Sequence, residues 1–347
     1  QQTTNNKQQT TNNKQQTMNN INLETHIGNI KLKTPLINAS GCWCYDKSNL
    51  NDIISDDCLS GGVITKTMTL ESREGNPEPR YYHNQHLSVN SMGLPNLGFE
   101  YYNNYKKTTT MNKPFIYSIS TMSLDDVYSM VYQIMDDTTN CNLNDDCGVG
   151  IEFNISCPNI VGKGQMGYDY EQLSDFLNGL GRSRLFDISR NQLAIGLKMS
   201  PYFDNHQFKS VGNIIKQYPR IDFLTCINGI GGGLVVDYET ETSVIKPNNG
   251  MGGLGGMIVK PTGLANVRKF KTIFGDKLDI IGCGGVSTGK DAFEYILSGA
   301  SCVSVGTELV KTGPTIFSDL DAQLKEIMVK KQYTAINDFK NKMKKYN

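Results

Sequence analysis

The sequence lacks a surplus of either charge: Lys plus Arg is 34 and Asp plus Glu is 34 in 347 residues. That balance argues against nucleic-acid binding, which normally needs a basic surplus, and gives no general pull toward an anionic membrane. No apolar run approaches 18 residues, so no transmembrane helix is expected. Nine cysteines are present, yet none form C-x-x-C and no secretory signal precedes them. The odd number and the spacing argue against a disulfide framework and an iron–sulfur cluster. They point to a reducing, cytoplasmic compartment with most thiols buried as small hydrophobes. His26, His83, His86 and His206 show no metal-ligand spacing and pair with no nucleophile, which disfavours zinc and Ser/His/Asp chemistry.

Apolar residues are also sparse, at 38%. Part of the deficit lies in residues 1–20, where QQTTNNK repeats and Met18 is the one apolar side chain. A seven-residue period with no apolar seam cannot form a coiled coil. A Gln/Asn-rich segment of this kind buries too little surface to offset its ordering entropy, so 1–20 is expected to be a disordered tail. It has the apolar core of neither a signal peptide nor a membrane anchor.

The length suits two domains of roughly 150 residues, or one α/β barrel with insertions. Residues 21–33 alternate apolar and polar around Gly28-Asn29, which predicts a β-hairpin. Eight short apolar runs follow, at 35–39, 62–65, 114–119, 149–153, 193–197, 221–227, 278–281 and 302–305. Helical periodicity lies between several of them, at 124–135, 170–180, 208–217, 265–274, 289–298 and 316–329. Eight β/α units imply a closed (β/α)8 TIM barrel, with a doubly wound open sheet as the alternative. The connections 66–113 and 228–277 are too long for plain β/α loops and are expected to be functional. Residues 136–148 are polar and aperiodic, and read as a surface insertion without chemistry.

In such a barrel the chemistry gathers at the C-terminal ends of the strands. Those ends carry Ala39-Ser40-Gly41, Lys66, Ser120, Asn154 with Cys157, Lys198, Asn228, Gly284-Gly285 and Gly306-Thr307. Two lysines at such positions are unusual, because buried lysine is rare unless paired. Glycine turns after the last two strands suit a phosphate, since bare backbone N–H groups can reach it there. Asn154, Asn159 and Cys157 lie on one short proline-containing segment: the amides can read a polar ring, and the thiol can serve as a base once ionised. Each of these features alone also fits an ordinary turn or a buried thiol.

Taken together and in order, the runs NASG (38–41), ITK (64–66), REGNPEPRY (73–81), NSMGLPNLGF (90–99) and NISCPN (154–159) identify a family resemblance. GLKMSPYFD (196–204), IKPNNGMGGLGG (245–256), KPTGLANVR (260–268), IIGCGG (280–285) and GPTIF (313–317) extend it. The chain resembles dihydroorotate dehydrogenases, specifically the cytosolic, fumarate-using class 1A. The resemblance implies an FMN-binding barrel over 21–347 that oxidises (S)-dihydroorotate to orotate in pyrimidine (UMP) biosynthesis, with fumarate reduced to succinate, and a homodimer. It implies Cys157 as the general base. Lys66 is implied to touch both flavin and substrate. Asn90, Met92, Gly93, Leu94, Asn154, Asn159 and Asn228 are implied as the substrate cradle. Ala39, Ser40, Lys66, Asn154, Lys198, Gly256, Gly284, Gly285, Gly306 and Thr307 are implied to hold the cofactor. Cys157 and the polar N-terminus set the chain apart from membrane-quinone members, which use Ser as the base. Gly93-Leu94-Pro95-Asn96 sets it apart from the NAD-linked class 1B, the main alternative, beside a catalytically silent FMN-binding barrel and a Schiff-base aldolase using Lys198. The chain departs from the family pattern at Gly229 and Gly232, where Ser and Asn are usual, and at Thr121, where Gly is frequent.

Overall fold

The computed structural model describes residues 18, 20–41, 43–140, 148–156, 164–188 and 192–346. The expected tail at 1–20 therefore falls almost wholly outside the described residues, as do Cys157 and Asn159 of the expected site.

The chain begins with the predicted hairpin, β1 (Thr25–Ile27) and β2 (Ile30–Leu32), turning at Gly28-Asn29. Gly28 takes φ +56°, which glycine adopts without a Cβ penalty. Next come β3 (Leu36–Asn38), helix α1 (Lys47–Ile54) and β4 (Val63–Ile64). Then follow β5 (Tyr81–His83), β6 (Leu87–Asn90) and α2 (Phe99–Thr108). β7 (Phe115–Ser120), α3 (Leu124–Asn140), β8 (Val149–Asn154), α4 (Tyr170–Arg182), β9 (Leu193–Lys198) and α5 (Asn205–Ile215) continue the alternation. After β10 (Phe223–Cys226) come β11 (Ile230–Leu234), β12 (Val236–Asp237), β13 (Thr242–Ser243) and β14 (Met251–Gly256). The chain closes with α6 (Lys260–Phe274), β15 (Asp279–Cys283), α7 (Gly289–Ser298), β16 (Cys302–Val305), α8 (Thr307–Thr312) and α9 (Ile316–Lys330).

Among the described residues, eight parallel strands run in the order β3-β16-β15-β10-β9-β8-β7-β4. This is the expected (β/α)8 barrel, not an open doubly wound sheet. The seam between β3 and β4 has no backbone ladder. The side-chain amide of Asn38 closes it instead, donating to Ile64 O (2.6 Å) and accepting from Ile64 N (2.9 Å). Lys66 N adds a bond to Cys44 O (3.2 Å) across the same seam.

Helix boundaries follow their caps. Asp204 accepts from Gln207 N (2.8 Å), so α5 begins at Asn205, three residues before its periodicity suggests. Thr288 and Asp291 form a capping box on α7, whose bounds match the sequence expectation. Residues 136–140, expected as part of a loop insertion, continue α3, and Asp137 accepts from Asn103 Nδ2 (2.9 Å). Residues 141–147 lie outside the described residues. The two long connections also hold structure the apolar pattern did not reveal. One supplies β5 and β6, the other β11 and β14, and they pair with each other as an antiparallel sheet ordered β11-β14-β6-β5. Its central register sets Gly253 opposite Asn90 and Gly256 opposite Leu87.

Candidate active site

Side chains alternate along the barrel strands. On β8, Phe153 points outward and packs edge-on against Phe176 of α4 (5.6 Å between ring centroids). Glu152 and Asn154 therefore point inward. On β9 the inward residues are Ala194, Gly196 and Lys198, and on β7 they are Ile116, Ser118 and Ser120. The C-terminal layer of the interior thus collects polar groups, with Lys66 and Lys198 at 5% and 3% exposure.

Lys66, Lys198, Glu152 and Asn154 are each anchored. Lys66 Nζ donates to Gly41 O (2.5 Å), and Ser40 Oγ donates to Glu152 Oε1 (2.8 Å), so the 39–41 turn is held from two sides. Lys198 Nζ lies 3.7 Å from Cys283 Sγ. Asn154 Oδ1 accepts from Ser156 N (3.2 Å), Ser156 Oγ (3.3 Å) and Asn228 Nδ2 (3.3 Å), while Asn154 Nδ2 donates to Thr67 Oγ1 (3.4 Å). Asn228 Nδ2 also reaches Ser156 O (3.1 Å) and Ser156 Oγ (2.9 Å), and Asn228 Oδ1 accepts from Gly229 N (2.8 Å). Thr121 Oγ1 donates to Asn154 O (3.1 Å), a tie a glycine at that position would lack. Burial pushes the Cys226 thiol up, reinforced by Cys283 and opposed by Lys198, so Cys226 stays a neutral thiol rather than a base. Burial likewise keeps the Tyr295 phenol protonated, and it donates to Gly284 O (2.7 Å) beneath the turn after β15.

A cleft opens above these groups. Ala39, Ser40, Lys198, Gly256, Gly284, Gly285, Gly306 and Thr307 line it, which gathers eight of the ten expected cofactor positions on one surface. Asn90 and Asn228 line it as well. Lys66 and Asn154 are not in its walls but are bonded to wall residues or their neighbours. Met92, Gly93 and Leu94 are not wall residues either. Asn76 N bonds to Met92 O (2.8 Å), and Gly93 takes φ +73° against the Asn76 side chain.

The glycines are needed where they stand. Gly256, Gly284 and Gly285 have φ of +77°, +121° and +69°. A Cβ at Gly285 would come within 2.8 Å of Gly256 O. At Gly229 a Cβ would make a tight contact with Leu254 O, at 3.0 Å. Sequence reasoning missed several residues here. Ser88 links the antiparallel sheet to the last turn through Thr307 Oγ1 (2.8 Å), and nothing local marks it. Glu152 did carry a signal, a lone charge within the apolar strand VGIEFN. Among the described residues, no helix is long and apolar enough to cross a membrane.

A family model described as Dihydroorotate dehydrogenase matches residues 22–328. The chain is 43% identical over 320 residues to a dihydroorotate dehydrogenase (fumarate) of Lachancea kluyveri, covering 91% of this chain and 96% of that one. It is 41% identical over 326 residues to dihydroorotate dehydrogenase A (fumarate) of Lactococcus lactis subsp. cremoris, covering 93% and 99%. It is 40% identical over 326 residues to a dihydroorotate dehydrogenase (fumarate) of Trypanosoma cruzi, covering 93% and 98%. The solved structure of ligand-free DHODH from Eimeria tenella superposes with a TM-score of 0.73 over 92% of this chain and 91% of that one. At 19% identity that likeness speaks for the fold alone. With the family matched from residue 22 to 328 and relatives 40–43% identical along more than nine-tenths of its length, this chain belongs to the dihydroorotate dehydrogenase family.

Proposed function

We propose that the barrel of residues 21–347 oxidises (S)-dihydroorotate to orotate with fumarate as acceptor, forming succinate, as a step of pyrimidine synthesis. The observation that carries this reading is the 40–43% identity, over nearly the full chain, to three proteins named for the fumarate-linked reaction.

FMN is the cofactor that fits the cleft. Glycine turns with positive φ leave bare backbone for a phosphate, Ile227, Leu254, Val259 and Val286 offer apolar walls to a flat ring, and Lys198 would offer a buried cation in the same cleft. When bound, FMN would supply the two-electron redox chemistry. The chain's own residues bind, orient and move the proton. Cys157, outside the described residues, is the proposed base for the C5 proton. It directly follows Ser156, which is fixed by Asn154 and Asn228. Lys66, held by Gly41 O, offers its ammonium to substrate and cofactor. Asn90, Asn154, Asn159 and Asn228, with the backbone of Met92, Gly93 and Leu94, form the proposed cradle for the polar ring.

The proposed assembly is a homodimer in the cytoplasm. Exposed apolar side chains support the pairing: Leu234 and Met251, opposite each other on β11 and β14, are 55% and 38% exposed, and Val236 on β12 and Tyr238 in the turn after it are 57% and 82% exposed. The function is tested anaerobically. Dihydroorotate should bleach the flavin of the purified protein and fumarate should restore it. A flavin that dihydroorotate leaves oxidised, or that recovers with NAD and not with fumarate, rejects the reading.

A further inference from the structure

Glu152 has no place in the chemistry described above, yet it is a fully buried carboxylate on the barrel interior. Three hydroxyls converge on it. Ser40 Oγ (2.8 Å) and Ser118 Oγ (3.2 Å) donate to Oε1, and Thr225 Oγ1 (2.6 Å) donates to Oε2. They come from the turn after β3, from β7 and from β10, so the one carboxylate ties three separate strands of the barrel together.

The donors give the network a direction. All three hydroxyls donate to the carboxylate oxygens, and a serine hydroxyl has one proton. With the Ser118 proton committed to Glu152, the 2.9 Å contact between Thr67 Oγ1 and Ser118 Oγ must have Thr67 as donor. Thr67 Oγ1 then receives the Asn154 amide N–H (3.4 Å). Asn154 is thereby turned with its nitrogen toward Thr67 and its oxygen toward Ser156 N and Asn228 Nδ2. The backbone N–H of Ser156, which can only donate, independently requires the same orientation.

We propose that Glu152 is a positioning residue, whose carboxylate sets the direction of the relay Ser118–Thr67–Asn154 and so holds, together with the Ser156 N–H, the Asn154 and Asn228 amides in the orientation that reads the substrate ring. Through Ser40 the same carboxylate braces the turn whose Gly41 carbonyl holds Lys66. The inference rests on the reading of this mouth as the orotate site.

The test uses the flavin-loaded protein. Orotate affinity is measured by calorimetry and by perturbation of the flavin spectrum for wild type, Glu152→Gln, Ser118→Ala and the double variant. Glutamine places N–H donors among three hydroxyl donors, and alanine interrupts the relay with the carboxylate intact. Both single variants should retain flavin and weaken orotate binding about tenfold. The double variant should be no weaker than the weaker single, because one relay is cut twice. Single variants within twofold of wild type, or losses that add, overturn the proposal. If Glu152→Gln does not fold, Ser118→Ala decides alone. A wild-type protein that binds no orotate overturns the functional reading and this inference with it, whereas intact wild-type binding with unchanged variants overturns this inference only.

Discussion

At the N-terminal end of the barrel, Ile116, Ala194 and Phe223 meet Ile27, Ile30 and Leu32 of the hairpin in an apolar plug. Two residues further along the same strands stand Ser118, Gly196 and Thr225, and two further again Ser120 and Lys198 on β7 and β9. One set of strands therefore builds two opposite interiors within about 13 Å, at 3.3 Å per residue. The plug is held by apolar burial, which is non-directional and tolerates neighbours of similar shape. The mouth is held by directional bonds among groups that would be costly if left unpaired. Stability and chemistry are thus assigned to opposite ends, and substitutions should separate them.

The largest effect is expected at the mouth. Cys157→Ala should retain FMN and orotate binding and lose about 10²–10⁴ in turnover, the range of a positioned general base. Rapid-mixing reduction of the flavin by dihydroorotate measures it, and a near-normal rate would remove Cys157 from that role. At the plug, Phe223→Ala should cost about 3–5 kcal/mol of stability in denaturant melts while turnover per folded molecule stays near wild type. A comparable fall in turnover would show that the ends are not separable. Gly285→Ala combines a positive φ with approach to Gly256 O, so it should cost about 1–3 kcal/mol, read as weakened FMN retention on dialysis.

The smallest effect lies under the plug. The hydrogen bond to Asp279 (3.1 Å), partly opposed by burial, raises the His26 pKa above 6.5. A group with a raised folded pKa contributes stability that is fully present below the unfolded value and lost as pH rises through the folded one. Wild-type protein should therefore lose a little stability as pH rises above 6.5, under about 1 kcal/mol because the ring is half-exposed. Thermal melts of His26→Gln should lack that slope, and an identical slope would assign it elsewhere.

Much of this was legible in the sequence. Local periodicity identified the hairpin and all eight barrel strands, because runs such as 149–153 and 193–197 are buried on both faces and need no partner to be recognised. The capped start of α7 was equally plain. Helices α1 and α2 were not seen, since the first is short and the second lies inside a polar connection. The expected cofactor positions come from the motifs, and eight of the ten line one cleft. Glu152 was overlooked although its charge stands out in its strand, because its partners Ser40, Ser118 and Thr225 are 34 to 112 residues away in sequence.

The sequence by itself determined the strand inventory, the absence of net charge and the family motifs, all of which are properties of short windows or of composition. Only the tertiary structure decided how Asn38 closes the barrel seam, how the two long connections pair as β6 and β14, and which way the buried amides face. Those features depend on register between distant strands. Register is set by which side chains can be buried and hydrogen-bonded together, and no single window of the chain contains that information.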